Sequence, residues 1–134
     1  MRTCSVTSWA YIAGFFDGEG CVTSSPATLC VVVRMNQKTP QVLREIQKVT
    51  GGRVRYRPGG GGSWALTIQG KALTTRFIQE VLPYSIVKAT QLVVALRMVG
   101  LQVERYSSNR KARNRRERLH LHNELKELKH GTTT

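Results

Sequence analysis

The apolar positions change period along the chain, and each change marks an element. Thr7 or Ser8 is a capping residue ahead of Trp9, Tyr11, Ile12, Phe15 and Phe16, a helical spacing that Gly18 and Gly20 end. Cys21 to Ser25 reads as a short strand and Pro26-Ala27 as a turn. From Thr28 to Asn36 the period is two. Leu29, Val31, Val33 and Met35 point one way, and Thr28, Cys30, Val32, Arg34 and Asn36 the other. Thr39 then caps a helix with Pro40 at its first position; Val42, Ile46 and Val49 face inward, and Gly51-Gly52 stop it.

A second alternating pair follows. Arg53, Arg55 and Arg57 alternate with Val54 and Tyr56, so one face is arginine and the other apolar. Gly59 to Gly62 is a flexible hairpin loop, and Ser63 to Gln69 returns with Trp64, Leu66 and Ile68 on the apolar face. Lys71 to Leu82 reads as a helix that stops at Pro83, and a longer one runs from about Ile86 to Val103. Tyr106 to Arg118 is polar and arginine-rich, and leads into a short segment with Leu121, Leu125 and Leu128 at helical spacing. The order predicts an α+β fold, α-β-β-α-β-β-α: a saddle of four antiparallel strands with helices behind. Residues 1–105 form the domain, and 106–134 a basic C-terminal tail or helix. His120 and His122 lack acidic or cysteine partners and read as exposed. Cys21 and Cys30 face each other on neighbouring strands in this reading, as buried bystanders.

Charge narrows the class. A net charge of +13 with 134 residues leaves a surface that repels itself unless it meets a polyanion, and nucleic acid is the usual one. No apolar run spans a bilayer, and the folded part lacks a basic amphipathic helix beside exposed aromatics, so no membrane partner is expected. Met1 to Ser8 does not have the composition of a secretory signal. Three cysteines without C-x-x-C spacing fit neither a disulfide framework nor a zinc site, and indicate a reduced, intracellular setting. One charged residue on a strand's outer face is ordinary solvation. Three arginines in strict alternation on so basic a chain point to a surface that follows phosphates or reads bases.

The segment Ile12 to Gly20 carries the candidate chemistry. Ala10, Gly14 and Gly18 recur every four residues and leave one stripe of the helix almost bare, suited either to a tight contact inside the subunit or to a second copy of the helix. Asp17 and Glu19 are two of only eight acids, and Asp17 is the sole aspartate. A carboxylate at a helix tip repels a polyanion unless a cation intervenes. Mg²⁺, whose shell phosphate oxygens complete, is the expected one.

This segment resembles the signature of the LAGLIDADG homing endonucleases, with seven of nine positions identical or conservative and the family's element order around it. One copy of the motif implies the homodimeric class, with the motif helix at the dimer interface. The resemblance implies Glu19 as the metal-binding acid and the Gly18 carbonyl as a second ligand. Asp17 then caps the motif helix and positions the turn. Gln37, within Asn36-Gln37-Lys38-Thr39, positions a metal-bound water, and Lys88, within Pro83 to Gln91, lies near the scissile phosphate. It implies Mg²⁺, with Mn²⁺ or Ca²⁺ substituting in binding, and a long pseudo-palindromic duplex DNA target cut on both strands to move a host intron or intein-like element.

The sheets then lie in the major groove, and Thr23, Ser25, Arg34, Asn36, Arg53, Arg55, Arg57, Ser63 and Ala65 face DNA. The compartment is bacterial or phage cytoplasm or an organelle matrix. Departures from the family pattern are Ile12 in place of leucine, Gln41 where a basic residue is common, a short first hairpin, and the Arg110–Arg118 stretch. The alternative is a non-cleaving binder: a splicing maturase for host intron RNA, or a DNA-binding regulator. Intact Glu19, Gln37 and Lys88 favour the enzyme.

Overall fold

The computed structural model describes residues 7–25, 29–101 and 108–129, with side chains of the last helix from Arg115 on. The chain enters helix α1 (Trp9–Glu19) through Ser8, whose hydroxyl accepts from the Tyr11 N–H at 3.1 Å. The helix passes directly into strand β1 (Gly20–Ser24). Glycine is required at the junction because a β-carbon on Gly20 would stand 2.4 Å from the Phe16 ring. Strand β2 (Val31–Gln37) returns, and helix α2 (Gln41–Thr50) leads to β3 (Arg53–Arg57). Gly52 makes that last turn at φ +98°, and a β-carbon there would meet the Thr67 carbonyl at 2.5 Å. A short 3₁₀ turn (Gly59–Gly61) links β3 to β4 (Ser63–Gln69), followed by α3 (Lys71–Val81), a second 3₁₀ turn (Leu82–Tyr84), α4 (Ala89–Leu101) and α5 (Ser108–Lys129).

The sheet is antiparallel in the order β1-β2-β4-β3. Its inner face carries Val22, Val31, Val33, Met35, Leu66 and Ile68, all buried against the helices. Phe16 and Phe77 meet edge to face at 5.3 Å and join α1 to α3 behind the sheet. The expected α+β saddle is the observed architecture.

Several local expectations are corrected. Thr39 makes no cap; Pro40 takes that position, and its carbonyl accepts from the Arg44 N–H. The buried face of α2 is therefore turned to Leu43, Ile46 and Thr50, with Val42 and Val49 half-buried. The helix expected from Ile86, α4, starts at Ala89, because the N–H groups of Ile86, Val87 and Lys88 are engaged elsewhere. Cys21 and Cys30 are not cross-strand partners: Cys21 stands opposite Arg34, while the Cys30 carbonyl accepts from the Ser25 N–H. The expected boundary between residues 105 and 106 lies outside the described residues.

The arginine-rich stretch from Ser108 onward is helical and continuous with the leucine segment as α5. Leu121 and Leu125 enter the same core as α1, α3 and α4. Arg118 and His122 lie on that buried face too, so His122 is not exposed as expected. Its Nδ1 shares a hydrogen bond with the buried Ser24 hydroxyl at the end of β1. Burial lowers the His122 pKa below the ordinary imidazole value, and the Lys126 charge lowers it further.

A histidine held neutral in the folded state contributes stability fully above its unfolded pKa, and loses it as pH falls from there through the folded value. Acidification across the ordinary imidazole range is therefore expected to lower the urea midpoint. His122→Gln should flatten that dependence. Urea titrations of both proteins at about pH 7.5 and about pH 5 check it, and parallel pH profiles would contradict it.

Candidate active site and nucleic-acid interface

The open face of the sheet alternates with the core face, so its side chains fall into rows fixed by register. Cys21, Arg34, Thr67 and Arg53 form one row, and Asn36, Ala65 and Arg55 the next. Ser63 and Arg57 form a third, and Thr23, Val32 and Gln69 a fourth. Arg53, Arg55 and Arg57 are exposed along the β3 edge, and Arg34 is half-buried near the middle of the sheet. Its Nε is buried without a hydrogen-bond partner. Arg34, Asn36, Arg57 and Ser63 line a depression of about 720 Å³ together with Tyr56, Pro58 and Gly59.

Of the expected contact residues, Thr23, Asn36, Ser63 and the four arginines lie on this face as anticipated. Ser25 lies just past β1, half-buried and tied to Cys30 and Leu29 through its backbone. Ala65 is on the same face but only 2% exposed, because a short side chain flanked by Asn36 and Arg55 is covered by its neighbours. Thr67 and Gln69 also belong to the face. The alternation that picked out Ser63 and Ala65 extends to them and would have found both.

The second half of the site is built around Asp17. Its carboxylate accepts from the Ser85 hydroxyl at 2.6 Å and from the N–H groups of Ile86 at 2.7 Å, Val87 at 3.1 Å and Lys88 at 3.2 Å. Burial would raise its pKa, but these four hydrogen bonds together outweigh that and hold it below the ordinary carboxylate value. Asp17 therefore caps the turn before α4 and not its own helix, and it has no lone pairs to spare for a cation. The Ser85 partnership was not read from the sequence. Its only local signal is a hydroxyl residue between Pro83 and the next helix.

The same turn delivers Lys88 to the end of α1. Its Nζ donates to the Asp17 carbonyl at 2.6 Å and stands 5.7 Å from the centre of the Phe16 ring. Gly18 and Glu19 follow immediately and are exposed, and the Glu19 carboxylate makes no hydrogen bond or ion pair among the described residues. Gly20 pairs with Met35, so Gln37 continues β2 beyond that pair, towards the last turn of α1. Gln37 is half-buried, and its Oε1 accepts from the Lys38 N–H at 3.2 Å. The fold brings α1, β2 and the start of α4 to one end of the sheet. No hydrogen bond links Glu19, Gln37 and Lys88 to one another among the described residues. Nor do three His, Cys, Asp or Glu side chains converge there. Glu19 thus holds a divalent cation only with oxygens from elsewhere, such as the Gly18 carbonyl, a phosphate or a second carboxylate.

Among the described residues of the subunit, nothing occupies the bare stripe of α1. Ala10, Gly14 and Gly18 are exposed, and a β-carbon added at Gly14 or Gly18 meets nothing within 4 Å. Tyr11 is 52% exposed on the same helix, while Ile86 (85%) and Val87 (70%) are held against it by Asp17. A tight contact inside the subunit, one of the two expected uses of the stripe, is absent among the described residues.

The family model described as a LAGLIDADG-like domain matches residues 7–81. The structure is similar to the homing endonuclease I-CvuI in complex with its target in the presence of Ca. The two are 25% identical with a TM-score of 0.75, covering 93% of this chain and 83% of that one. It is also similar to the archaeal intron-encoded homing endonuclease I-Vdi141I complexed with DNA (19%, TM-score 0.74, covering 94% and 85%). The group I intron-encoded I-CeuI complexed with DNA matches at 19% and a TM-score of 0.70, covering 92% and 69%. No curated protein sequence matches the chain.

Asp17→Ala leaves one hydroxyl and three N–H groups without their charged acceptor. Water replaces part of that at the exposed positions, so a loss of about 2 kcal/mol is expected in chemical denaturation. A carboxylate with a depressed folded pKa contributes stability above its unfolded pKa, and loses it as pH falls through the folded value. The gap between Asp17→Ala and the parent should therefore narrow below the ordinary carboxylate range. A gap that stays constant there would show that the carboxylate charge is not what holds the turn.

Proposed function

The chain belongs to the LAGLIDADG-like family, and we propose that it is a homing endonuclease that hydrolyses both strands of a pseudo-palindromic duplex DNA as a homodimer. The observation that carries this reading is the exposed Glu19 at the end of an unoccupied small-residue stripe, on the same subunit as a face of ordered arginines. Two copies meeting along Ala10, Gly14 and Gly18 about a two-fold axis bring Glu19 of each beside the other, and they cover Ile86 and Val87 as well. The relatives named above support it, being homing endonucleases solved with DNA or a target. Cutting the intron-less allele of its own insertion site is the activity that spreads a host element.

The residues present fit a divalent cation. Glu19 and the Gly18 carbonyl would hold Mg²⁺, and a phosphate oxygen supplies the hard ligand that the subunit lacks. When bound, the ion lowers the pKa of water and offsets charge on the phosphate. Lys88, fixed by the Asp17 carbonyl, places an ammonium beside the same end of α1, where it stabilises developing negative charge. Gln37 offers an amide that orients water by hydrogen bonding. The open face of each subunit enters the major groove, where Arg34, Arg55 and Arg57 are suited to guanine edges and Asn36 to adenine.

Glu19→Gln should retain duplex binding and lose cleavage by at least about 100-fold, because it removes a ligand charge and leaves the arginine face untouched. The assay is a plasmid carrying the intron-less insertion site, with and without Mg²⁺, beside a gel-shift measurement. Undiminished Mg²⁺-dependent cutting by the variant would exclude Glu19 from the site.

Gly14→Leu tests the dimer. The side chain meets nothing within the subunit, so the circular dichroism of the fold should be unchanged while dimerisation weakens by about tenfold or more. Light scattering that still reports a full dimer would place the interface elsewhere.

A further inference from the structure

The longest helix divides its charge unevenly. Residues 108–119 of α5 contain Arg110, Lys111, Arg113, Arg115, Arg116 and Arg118 against one acid, Glu117, whereas residues 120–129 contain two lysines and two glutamates. The basic half is the N-terminal half, where the helix dipole is itself positive, and its first turn has no acidic residue. Side chains of this sign in this place oppose helix formation unless an anion meets them. Arg115 and Arg116 are exposed, and among the described residues neither makes an ion pair.

Anchorage fixes where this charge lies. Leu121 and Leu125 seat the other half of α5 in the core, and His122 is hydrogen-bonded to Ser24. Ser24 pairs with Val31 in the last step of the β1–β2 ladder, the end of the hairpin away from Gly20 and Glu19. At a rise of 1.5 Å per residue, Arg115 and Arg116 lie within roughly 10 Å of His122 along the helix axis. Through His122 the helix is tied to the outer end of β1, an edge strand whose open face carries Thr23. Residues 108–119 include only Ala112 and Leu119 as apolar side chains, so this half has no apolar face to lay on a lipid surface.

We propose that the basic half of α5 is a second duplex-DNA contact, distinct from the sheet: a clamp on the phosphate backbone flanking the recognised sequence. Arg115 and Arg116 neutralise phosphates there and read no bases. The contact extends the footprint beyond the short first hairpin. It rests on the reading of the chain as a duplex-DNA binder. Charge complementarity and the anchorage of α5 at Ser24, next to Thr23 on the open face of the same strand, are what favour DNA as the occupant.

The test compares the parent with an Arg115→Gln/Arg116→Gln double variant and an Arg55→Gln/Arg57→Gln double variant. All three bind a long duplex of arbitrary sequence over a range of salt, so no target site is needed. Glutamine keeps helix propensity at exposed positions, and an unchanged thermal melt verifies the fold. Each phosphate contact adds about 0.9 to the slope of log affinity against log salt. With two α5 substitutions per subunit, the slope of a dimer should shallow by about two to four. Shortening the duplex from both ends should abolish the difference between the α5 variant and the parent while the sheet variant stays weakened.

An α5 variant with the parent's slope on the long duplex, alongside a weakened sheet variant, overturns the clamp and leaves the endonuclease reading standing. A parent that fails to bind duplex DNA at all overturns both. An equal α5 loss on long and short duplexes overturns the flanking position. Vesicles of mixed neutral and anionic phospholipid that bind the parent through the same two arginines, more tightly than the duplex does, assign the patch to a membrane and overturn the proposal.

Discussion

Asp17 accepts four hydrogen bonds from a turn nearly seventy residues away in the chain, and the geometry of the reactive end of the molecule depends on that convergence. With three consecutive N–H groups drawn to one carboxylate, α4 starts only at Ala89. Lys88 is thereby placed where its ammonium reaches back to the Asp17 carbonyl. The same turn leaves Ile86 and Val87 exposed near the end of α1. One side chain thus sets the position of a cation and the apolar border of an unoccupied helix face. It also removes itself from metal binding, since its oxygens are already saturated. The two acids of the motif divide the work: one holds structure, and the other stays exposed and unpaired.

The sheet solves a different problem, that of holding like charges close together. Arg53, Arg55 and Arg57 project from one side of a five-residue strand, and Arg34 stands two strands away in the row of Arg53. At strand spacings such charges repel, and among the described residues Arg53, Arg55 and Arg57 make no ion pair. Register limits the damage by interposing Thr67, Ala65 and Ser63 on β4 between the arginines of β3 and the residues of β2. The small residues make the centre of the face shallow. Towards the β3–β4 hairpin the face sinks into the depression lined by Arg34, Asn36, Arg57 and Ser63.

How much of this was legible in the sequence follows from how local each cause is. The strands and their faces were readable because a period of two assigns every side chain, and the arginine alternation fixed which face was which. The start of α1 was readable from Ser8, and its end from Gly20, where a β-carbon would meet the Phe16 ring. The Asp17–Ser85 contact was not, because no periodicity links residues so far apart. His122 lies between these cases. Arg118, Leu121, His122 and Leu125 follow the spacing i, i+3, i+4, i+7, so the buried stripe of α5 was written in the sequence. Reading leucines alone hid it: a histidine and the aliphatic stem of an arginine fill core positions when a partner such as Ser24 is at hand. The phase of α2 was missed by one residue, because Pro40 took the cap and Leu43 the centre of the buried face.

The scarcity of acid ties these parts together. Glu19 is an exposed acid on a chain carrying +13, Asp17 beside it is fully engaged by the turn before α4, and among the described residues no group of three metal-ligating side chains forms around it. A single exposed carboxylate and a carbonyl make a weak site for a hard dication, which takes six or more oxygens. In an isolated subunit the position is therefore poor. In the proposed homodimer, docking two α1 helices along a stripe without side chains would bring the backbones close enough for one Glu19 to lie beside another, and a phosphate between them would complete the shell. The bareness of the stripe and the isolation of the acid are thus one design read from two sides. On that proposal, a bulkier helix would keep the carboxylates apart, and a second acid within the subunit would make the partner unnecessary while repelling phosphate.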